Sequence, residues 1–108
     1  MDIKVLIDAI EQETATLDAF YAFFSISLYR TAFDAYNGSM DSARKLHHKT
    51  LPRTNQWTCD EGPSGCGATV VVWPDGLSGL SELVFNGYDV IPSRAWLIAI
   101  IKACKETQ

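Results

Sequence analysis

The sequence has little positive charge. Its 108 residues include 9 Lys and Arg against 13 Asp and Glu, and the formal net charge is −4. This balance argues against general binding to nucleic acid or to anionic membranes, because both require a cationic surface. The sequence also lacks any apolar run near the roughly 20 residues of a membrane-spanning helix. Acidic residues interrupt its apolar N-terminal stretch, unlike a signal peptide, so we expect a cytoplasmic location.

The composition is otherwise that of an ordinary folded domain. Hydrophobic residues make up 47% of the chain and charged residues 20%, which differs from the composition of disordered proteins. A chain of this length can bury enough apolar surface for one core without a metal or a disulfide. No repeat, low-complexity tract or linker interrupts it. The sequence therefore predicts a single domain over residues 1–108.

Cysteine is scarce and odd in number, with Cys59, Cys66 and Cys104. Because we expect no export signal, this count favours reduced thiols. If DEGPSG is a hairpin tip centred between Gly62 and Pro63, then Cys59 and Cys66 face each other across two strands. Opposed cysteines of this kind come close enough to oxidise. The sequence leaves open whether they pair.

The two histidines, His47 and His48, lie in the basic segment RKLHHKTLPR. Neighbouring cations disfavour a charged imidazole, and no carboxylate lies three or four residues away to orient either ring. A zinc site formed by these histidines with Cys59 and Cys66 is disfavoured for two reasons. Six residues separate the cysteines, where zinc sites have two to four, and adjacent histidines on a helix point in different directions. A Cys–His dyad stays open, although nothing in the spacing requires it. We predict no enzyme activity, no cofactor and no metal.

The glycine-rich stretch GPSGCG does not match a phosphate-binding loop. Such a loop needs Gly-Lys followed by Ser or Thr at the start of a helix. Here a run of β-branched residues follows the glycines, which is typical of a hairpin tip followed by a strand.

Apolar periodicity predicts helices in the first half of the chain. A first helix covers about residues 2–13, with Asp2 as its cap. Thr14 or Thr16 caps a second helix, whose apolar residues recur at three- and four-residue steps over residues 17–28. This helix either continues to Tyr36 or loosens after Tyr29. Asn37 and Gly38 end it in both cases, because both residues tolerate a left-handed conformation. Ser39 then caps a third helix, MDSARKLHHK, which Pro52 prevents from continuing.

The second half of the chain has strand patterns. NQWTCD alternates, CGATVVVW is a β-branched run typical of a central strand, and ELVFNGY indicates a third strand. Pro92 suits the first turn of a final helix, PSRAWLIAIIKACKE, which we expect to be the best-buried helix. The predicted fold class is α+β: N-terminal helices, a three-stranded antiparallel β-meander and a C-terminal helix packed on the sheet.

Two charged clusters are candidate partner-binding sites. The cations of the basic segment are Arg44, Lys45, Lys49 and Arg53. The acids at the predicted turns are Asp60, Glu61 and Asp75. The ordinary interpretation of both clusters is a solvated surface. The functional interpretation is contact with phosphate or an acidic surface for the first, and with a basic surface for the second.

Two stretches of the chain carry a family resemblance. The first is YNGSMDSARKL, followed by Pro52 and Trp57, and the second is IPSRAWLIAIIKA. Together they resemble small phage and prophage proteins of the phage ABA sandwich type. The resemblance covers about residues 36–105. The chain departs from the family pattern at Ile91, where the family has a capping Thr. The positions that match are Tyr36, Ser39, Asp41, Ala43, Leu46, Trp57, Pro92, Ala95, Leu97, Ala99, Ile101, Lys102 and Ala103. The resemblance implies a viral or prophage origin and an intracellular setting in a bacterial host. It implies no established enzyme activity, and it carries over no functional residue, since all matching positions are packing or capping positions.

These features lead to two expectations for function. The first is a non-enzymatic phage accessory protein that binds and inhibits a host protein, in particular a nucleic-acid-binding defence complex, as anti-CRISPR proteins do. Its acidic turns would occupy a basic groove, with Trp or Tyr side chains as anchors. The alternative is a small structural or regulatory phage protein that forms a homodimer through the aromatic second helix. Direct nucleic-acid binding through residues 44–53 is the least expected of the binding functions.

Overall fold

The computed structural model describes residues 3–51, 55–63, 65–72 and 83–107. The helices are α1 (Ile3–Glu11), α2 (Leu17–Phe23), α3 (Tyr29–Tyr36), α4 (Met40–Thr50) and α5 (Pro92–Thr107). The strands are β1 (Asn55–Gly62), β2 (Gly65–Val72) and β3 (Leu83–Asp89). They form one antiparallel sheet of order β1-β2-β3, with α5 packed on it. The predicted α+β architecture is confirmed.

Some predicted features lie outside the described residues. They are the Asp2 cap, the helix stop at Pro52, Arg53, the end of the central strand at Trp73, and Asp75. Within the described ranges, none of the helices has the length and apolar character needed to cross a bilayer.

The helix caps agree with the sequence. The side-chain oxygen of Thr16 accepts a hydrogen bond from the Ala19 N–H at 3.3 Å, and that of Ser39 accepts from the Ser42 N–H at 3.1 Å. Each satisfies one of the N–H groups that a helix start leaves without an intrahelical acceptor. Gly38 ends the turn after α3 with φ +111°, a conformation that favours glycine.

The prediction of a continuous second helix is wrong, because the chain breaks between α2 and α3. Phe24 is extended and donates its N–H to the Phe20 carbonyl oxygen at 2.8 Å, which closes α2. The break lets α2 fold back on α3, and Phe20 contacts Phe33 and Tyr36 with ring centroids 5.9 and 5.7 Å apart. Ile26, in the connection, is 77% exposed. Aromatic packing between two short helices therefore replaces one long amphipathic helix.

The predicted register of the β1–β2 hairpin is also wrong, because each residue of β1 pairs two positions further along β2 than expected. Cys59 pairs with Ala68, and Cys66 pairs with Glu61. The strands continue closer to the tip than expected, because a two-residue connection is enough to join antiparallel strands. Cys59 and Cys66 are therefore diagonal neighbours instead of opposed residues. Both are free thiols, as is Cys104.

Helix α5 is the centre of the core, as predicted. All residues from Ser93 to Ile101 are buried, and α5 lies on the face of β2 that carries Ala68 and Val70. Gly87 of β3 is the point of closest approach. A Cβ added there would collide with the backbone of α5, at the Ala95 carbonyl oxygen and the Ala99 nitrogen. The absence of a side chain at Gly87 thus sets how closely the helix lies on the sheet.

The start of α5 also holds the end of α3. The Ser93 hydroxyl donates to the Ala35 carbonyl oxygen, and Arg94 Nε donates to the Tyr36 carbonyl oxygen, both at 2.6 Å. The Arg94 guanidinium lies 4.4 Å from the centroid of the Tyr36 ring and pairs with Glu13 at 2.8 Å. The Arg94 contact gives the Tyr36 carbonyl at the end of α3 a hydrogen-bond donor. The Ser93 hydroxyl is a second donor to the Ala35 carbonyl oxygen, which also accepts from the Gly38 N–H at 3.2 Å.

Candidate functional site

The two histidines have different environments. His47 is fully buried, and its Nδ1 accepts a hydrogen bond from Trp96 Nε1 at 3.2 Å. The Trp96 ring stacks on Trp57 with centroids 3.9 Å apart. His48 lies on the exposed side of α4. His47 therefore satisfies a buried indole N–H, which gives it a packing role in the core.

The acidic residues of the hairpin tip line a groove. It has a volume of about 510 Å³ and lies where the β1–β2 hairpin meets the end of β3. Asp60, Glu61 and Asp89 are among the residues that line it, and no Lys or Arg among the described residues lines it. We call this feature the acidic groove. The structure thus joins the two predicted acids to a third one from a distant part of the sequence.

The sheet register explains how the acidic groove forms. Asp60, Gly67 and Tyr88 are paired directly across the three strands, so their side-chain positions share the sheet face opposite α5. In the neighbouring row, Glu61 and Asp89 flank Cys66 on the other face. Gly67, between Asp60 and Tyr88, has no side chain, so the Tyr88 ring can lie over its backbone. Asp60 and Tyr88 therefore share one face of the sheet at the tip, and Glu61 and Asp89 share the other.

Tyr88 is the most prominent apolar feature of the acidic groove. It is 70% exposed, as is its neighbour Val90. A Cβ added at Gly67 would lie 3.3 Å from Tyr88 Cε1, which shows that the ring packs over the glycine backbone. One side of the ring thus contacts the glycine backbone while the rest of the ring faces solvent. An exposed aromatic ring near carboxylates is suited to cations, through both ion pairing and cation–π contact.

Burial and the acidic residues of the groove raise the pKa values of the nearby thiols of Cys59 and Cys66. The pKa of the Cys66 thiol is raised by burial, and further by the negative charges of Glu61 and Asp89. The pKa of Cys59 is raised by burial and then by Cys66, Asp60 and Glu61. Burial also raises the pKa of Cys104, partly offset by a hydrogen bond with Thr50. A raised pKa keeps a thiol protonated, which makes it a poor nucleophile and a poor metal ligand at neutral pH.

These pKa shifts predict a loss of stability in alkali. Below the ordinary thiol pKa of about 8.5, the folded and unfolded chains both keep these protons. Above it, the unfolded chain loses protons that the folded chain retains, so the free energy of unfolding should fall as the pH rises. Urea unfolding between pH 7 and 10, on the parent and on Cys66→Ala, measures this effect. A parent whose stability fell no more steeply than that of the variant would contradict the assignment to Cys66.

The predicted basic residues form a separate stripe on α4. Arg44, Lys45 and Lys49 lie on its exposed side with Asp41 and His48, along a shallow cleft of about 390 Å³. The three- and four-residue steps that link these five positions, such as Asp41 to Lys45 and Lys45 to Lys49, place them on one side of the helix. The structure therefore brings these three predicted cations together. We call this feature the basic stripe.

The sequence analysis missed Tyr88, Val90 and Asp89 as members of the acidic groove. A signal for them was present. In an antiparallel meander, the third strand ends beside the hairpin of the first two, so residues at its end must lie near Asp60 and Glu61. Trp57, in contrast, is not an exposed anchor, because it stacks on Trp96.

No cluster of three or more His, Cys, Asp or Glu side chains suited to a metal ion occurs among the described residues. No protein-family model, curated protein or solved structure matches this chain. The acidic groove is thus the candidate site, on its geometry alone.

Proposed function

We propose that this protein is a non-enzymatic phage or prophage accessory protein that binds and inhibits a host protein through the acidic groove. One observation carries the proposal. Asp60, Glu61 and Asp89 line a groove at the hairpin tip together with the exposed residue Tyr88, and no Lys or Arg among the described residues lines it. This combination of negative charge with an exposed aromatic anchor is typical of a protein interface directed at a basic surface.

The proposed mechanism is occlusion. A surface that normally receives nucleic acid carries Arg and Lys side chains placed for phosphate groups. Carboxylates on a protein tip can pair with the same cations, and Tyr88 can stack on a guanidinium. A host defence nuclease complex in the bacterial cytoplasm is the proposed target, because its function depends on such a basic surface. Binding would then be weakened by salt, since exposed charge pairs are screened.

The environment of the titratable groups supports binding over catalysis. His47 is engaged with Trp96 in the core, and burial raises the pKa of all three thiols. A catalytic site needs a nucleophile and a proton-transfer group that converge in one pocket. The acidic groove instead offers charge and an aromatic surface.

A second candidate, self-association, rests on the aromatic connection between α2 and α3. Ile26 is 77% exposed and Tyr21 is 54% exposed. Tyr21 also packs edge-on against Tyr29, with ring centroids 5.0 Å apart. An exposed apolar knob of this kind suits a homodimer of a structural or regulatory phage protein. Two exposed side chains offer much less surface than a stable dimer interface buries, so the acidic groove is the stronger candidate.

Affinity capture from a bacterial host lysate tests the proposal. The tagged protein should retain a host protein in a fixed molar ratio. The double variant Asp60→Lys and Glu61→Lys should weaken that binding at least about tenfold, because it reverses two charges in the groove. The matched control is Glu11→Lys with Asp34→Lys, which makes the same charge change at exposed helical positions.

The outcomes separate the candidate functions. Equal binding by the groove variant and the control would contradict a role for the acidic groove. A stable dimer in light scattering that Ile26→Ser converts to a monomer would favour self-association instead. If replacing Lys45 and Lys49 with Glu abolished capture of the host protein, the binding surface would be the basic stripe instead of the acidic groove.

A further inference from the structure

A second cleft lies at the other end of β3 from the acidic groove. It has a volume of about 450 Å³ and is bounded by the first residues of α1, the start of β3 and the last turns of α5. This volume is in the range of sites for small molecules. The cleft shares no lining residue with the acidic groove, and it does not depend on the proposed function.

The walls of this cleft are apolar. Ile3 and Ile7 come from one face of α1, and Phe85 comes from β3. All three pack against the core and remain partly exposed. Phe85 pairs with Val70 across the sheet, so it lies on the side of the sheet covered by α5. The cleft therefore presents hydrophobic surface from two different elements that face the same space.

The rim of the cleft is cationic. Among the described residues, Lys4, Lys102 and Lys105 line it, with Glu106 as the one acid. Lys102 Nζ donates to the carbonyl oxygen of Asn86 at 2.7 Å. Asn86 is the residue after Phe85, so this hydrogen bond holds the Lys102 ammonium group against that part of β3. Lys105 lies one turn further along α5 and is exposed. In a protein with a net charge of −4, this concentration of lysines marks a local preference for anions.

We propose that this cleft binds a small amphipathic carboxylate. Its hydrocarbon part would lie against Ile3, Ile7 and Phe85, and its carboxylate would pair with Lys102 and Lys105. Charge complementarity selects the anionic head group, because three of the four ionisable side chains that the structure describes on the rim are lysines. The apolar walls select a ligand with a hydrocarbon tail over a simple anion, since tail burial removes apolar surface from water.

Solution NMR of the purified, full-length protein tests this proposal without any host partner. Octanoate is the probe, acetate is the control without a tail, and octyltrimethylammonium is the control with the opposite charge. We expect octanoate to give saturable shifts of the Ile3 and Ile7 methyl groups and of the Phe85 ring. Acetate and octyltrimethylammonium should bind at least about tenfold more weakly.

Matched charge reversals complete the test. Lys105→Glu should weaken octanoate binding about fivefold, because it removes one exposed attraction and adds a repulsion. Lys45→Glu makes the same change on the distant basic stripe and should leave binding unchanged. The proposal is overturned if octanoate gives no saturable shifts, if the two controls bind as well as octanoate, or if both variants behave alike. None of these results bears on capture of a host protein by the acidic groove.

Discussion

Replacing Gly87 with Ala should lower the free energy of unfolding by about 3 kcal/mol, the upper part of the range for overpacked sites. The added Cβ would collide with the Ala95 carbonyl oxygen and the Ala99 nitrogen, which are backbone atoms of α5. Backbone in the middle of a buried helix cannot rotate away as a side chain can. The helix must therefore lift from β3, and the contacts between α5 and the sheet must loosen. Urea unfolding followed by circular dichroism measures the loss.

Gly67→Ala is the matched control, on the adjacent strand. Its added Cβ would meet only the ring of Tyr88, at 3.3 Å, and an exposed ring can move. Alanine in a strand also gains roughly 0.5–1 kcal/mol over glycine from backbone entropy. The control should therefore stay within about 1 kcal/mol of the parent. Equal losses in the two variants would show that α5 does not lie against Gly87 as closely as described.

Replacing Arg94 with Met should cost about 2 kcal/mol of stability, mainly through one orphaned carbonyl group. Arg94 Nε is the donor to the buried Tyr36 carbonyl oxygen, and its guanidinium covers the Tyr36 ring. Methionine keeps much of the aliphatic volume but offers no donor. The carbonyl at the end of α3 would then lose a hydrogen bond without gaining access to water. Chemical unfolding of the variant measures the cost.

Glu13→Gln distinguishes the contribution of the Arg94–Glu13 ion pair to stability from that of the hydrogen bond between Arg94 and the Tyr36 carbonyl. The Glu13 side chain is 65% exposed, so water can replace its contact with Arg94. The loss from this variant should stay below about 1 kcal/mol. If Glu13→Gln and Arg94→Met were equally destabilising, the ion pair would be the main contribution of Arg94, and the argument from the Tyr36 carbonyl would be wrong.

The local chemistry of the sequence was enough to predict most of the elements. Thr16 and Ser39 cap helices because their side chains accept from N–H groups within the first turn. The strands and α5 follow from β-branched runs and from an almost wholly apolar helix. The break at Phe24 was not predictable in this way, because apolar residues continue across it at helical spacing. Contacts of Phe20 with the rings of α3, which periodicity cannot show, favour the break.

The candidate site was predictable only in part. Asp60 and Glu61 stand at a turn with strong sequence signals, so their exposure was expected. Tyr88 and Asp89 join them through strand pairing over more than twenty positions, which depends on the register. The shift of two residues in the hairpin register also placed Cys66 opposite Glu61 instead of Cys59. Local sequence patterns could not determine the register of the hairpin, because the register depends on the length of the turn.

Hydrogen–deuterium exchange on the complex with the captured host protein tests the central claim most directly. Binding through the acidic groove should slow exchange in the segments 58–67 and 86–91, while α4 exchanges as in the free protein. The protection should disappear in the variant with Asp60→Lys and Glu61→Lys. Protection confined to α4, or to the segment between α2 and α3, with an unchanged hairpin tip, would contradict the claim that the acidic groove is the binding surface.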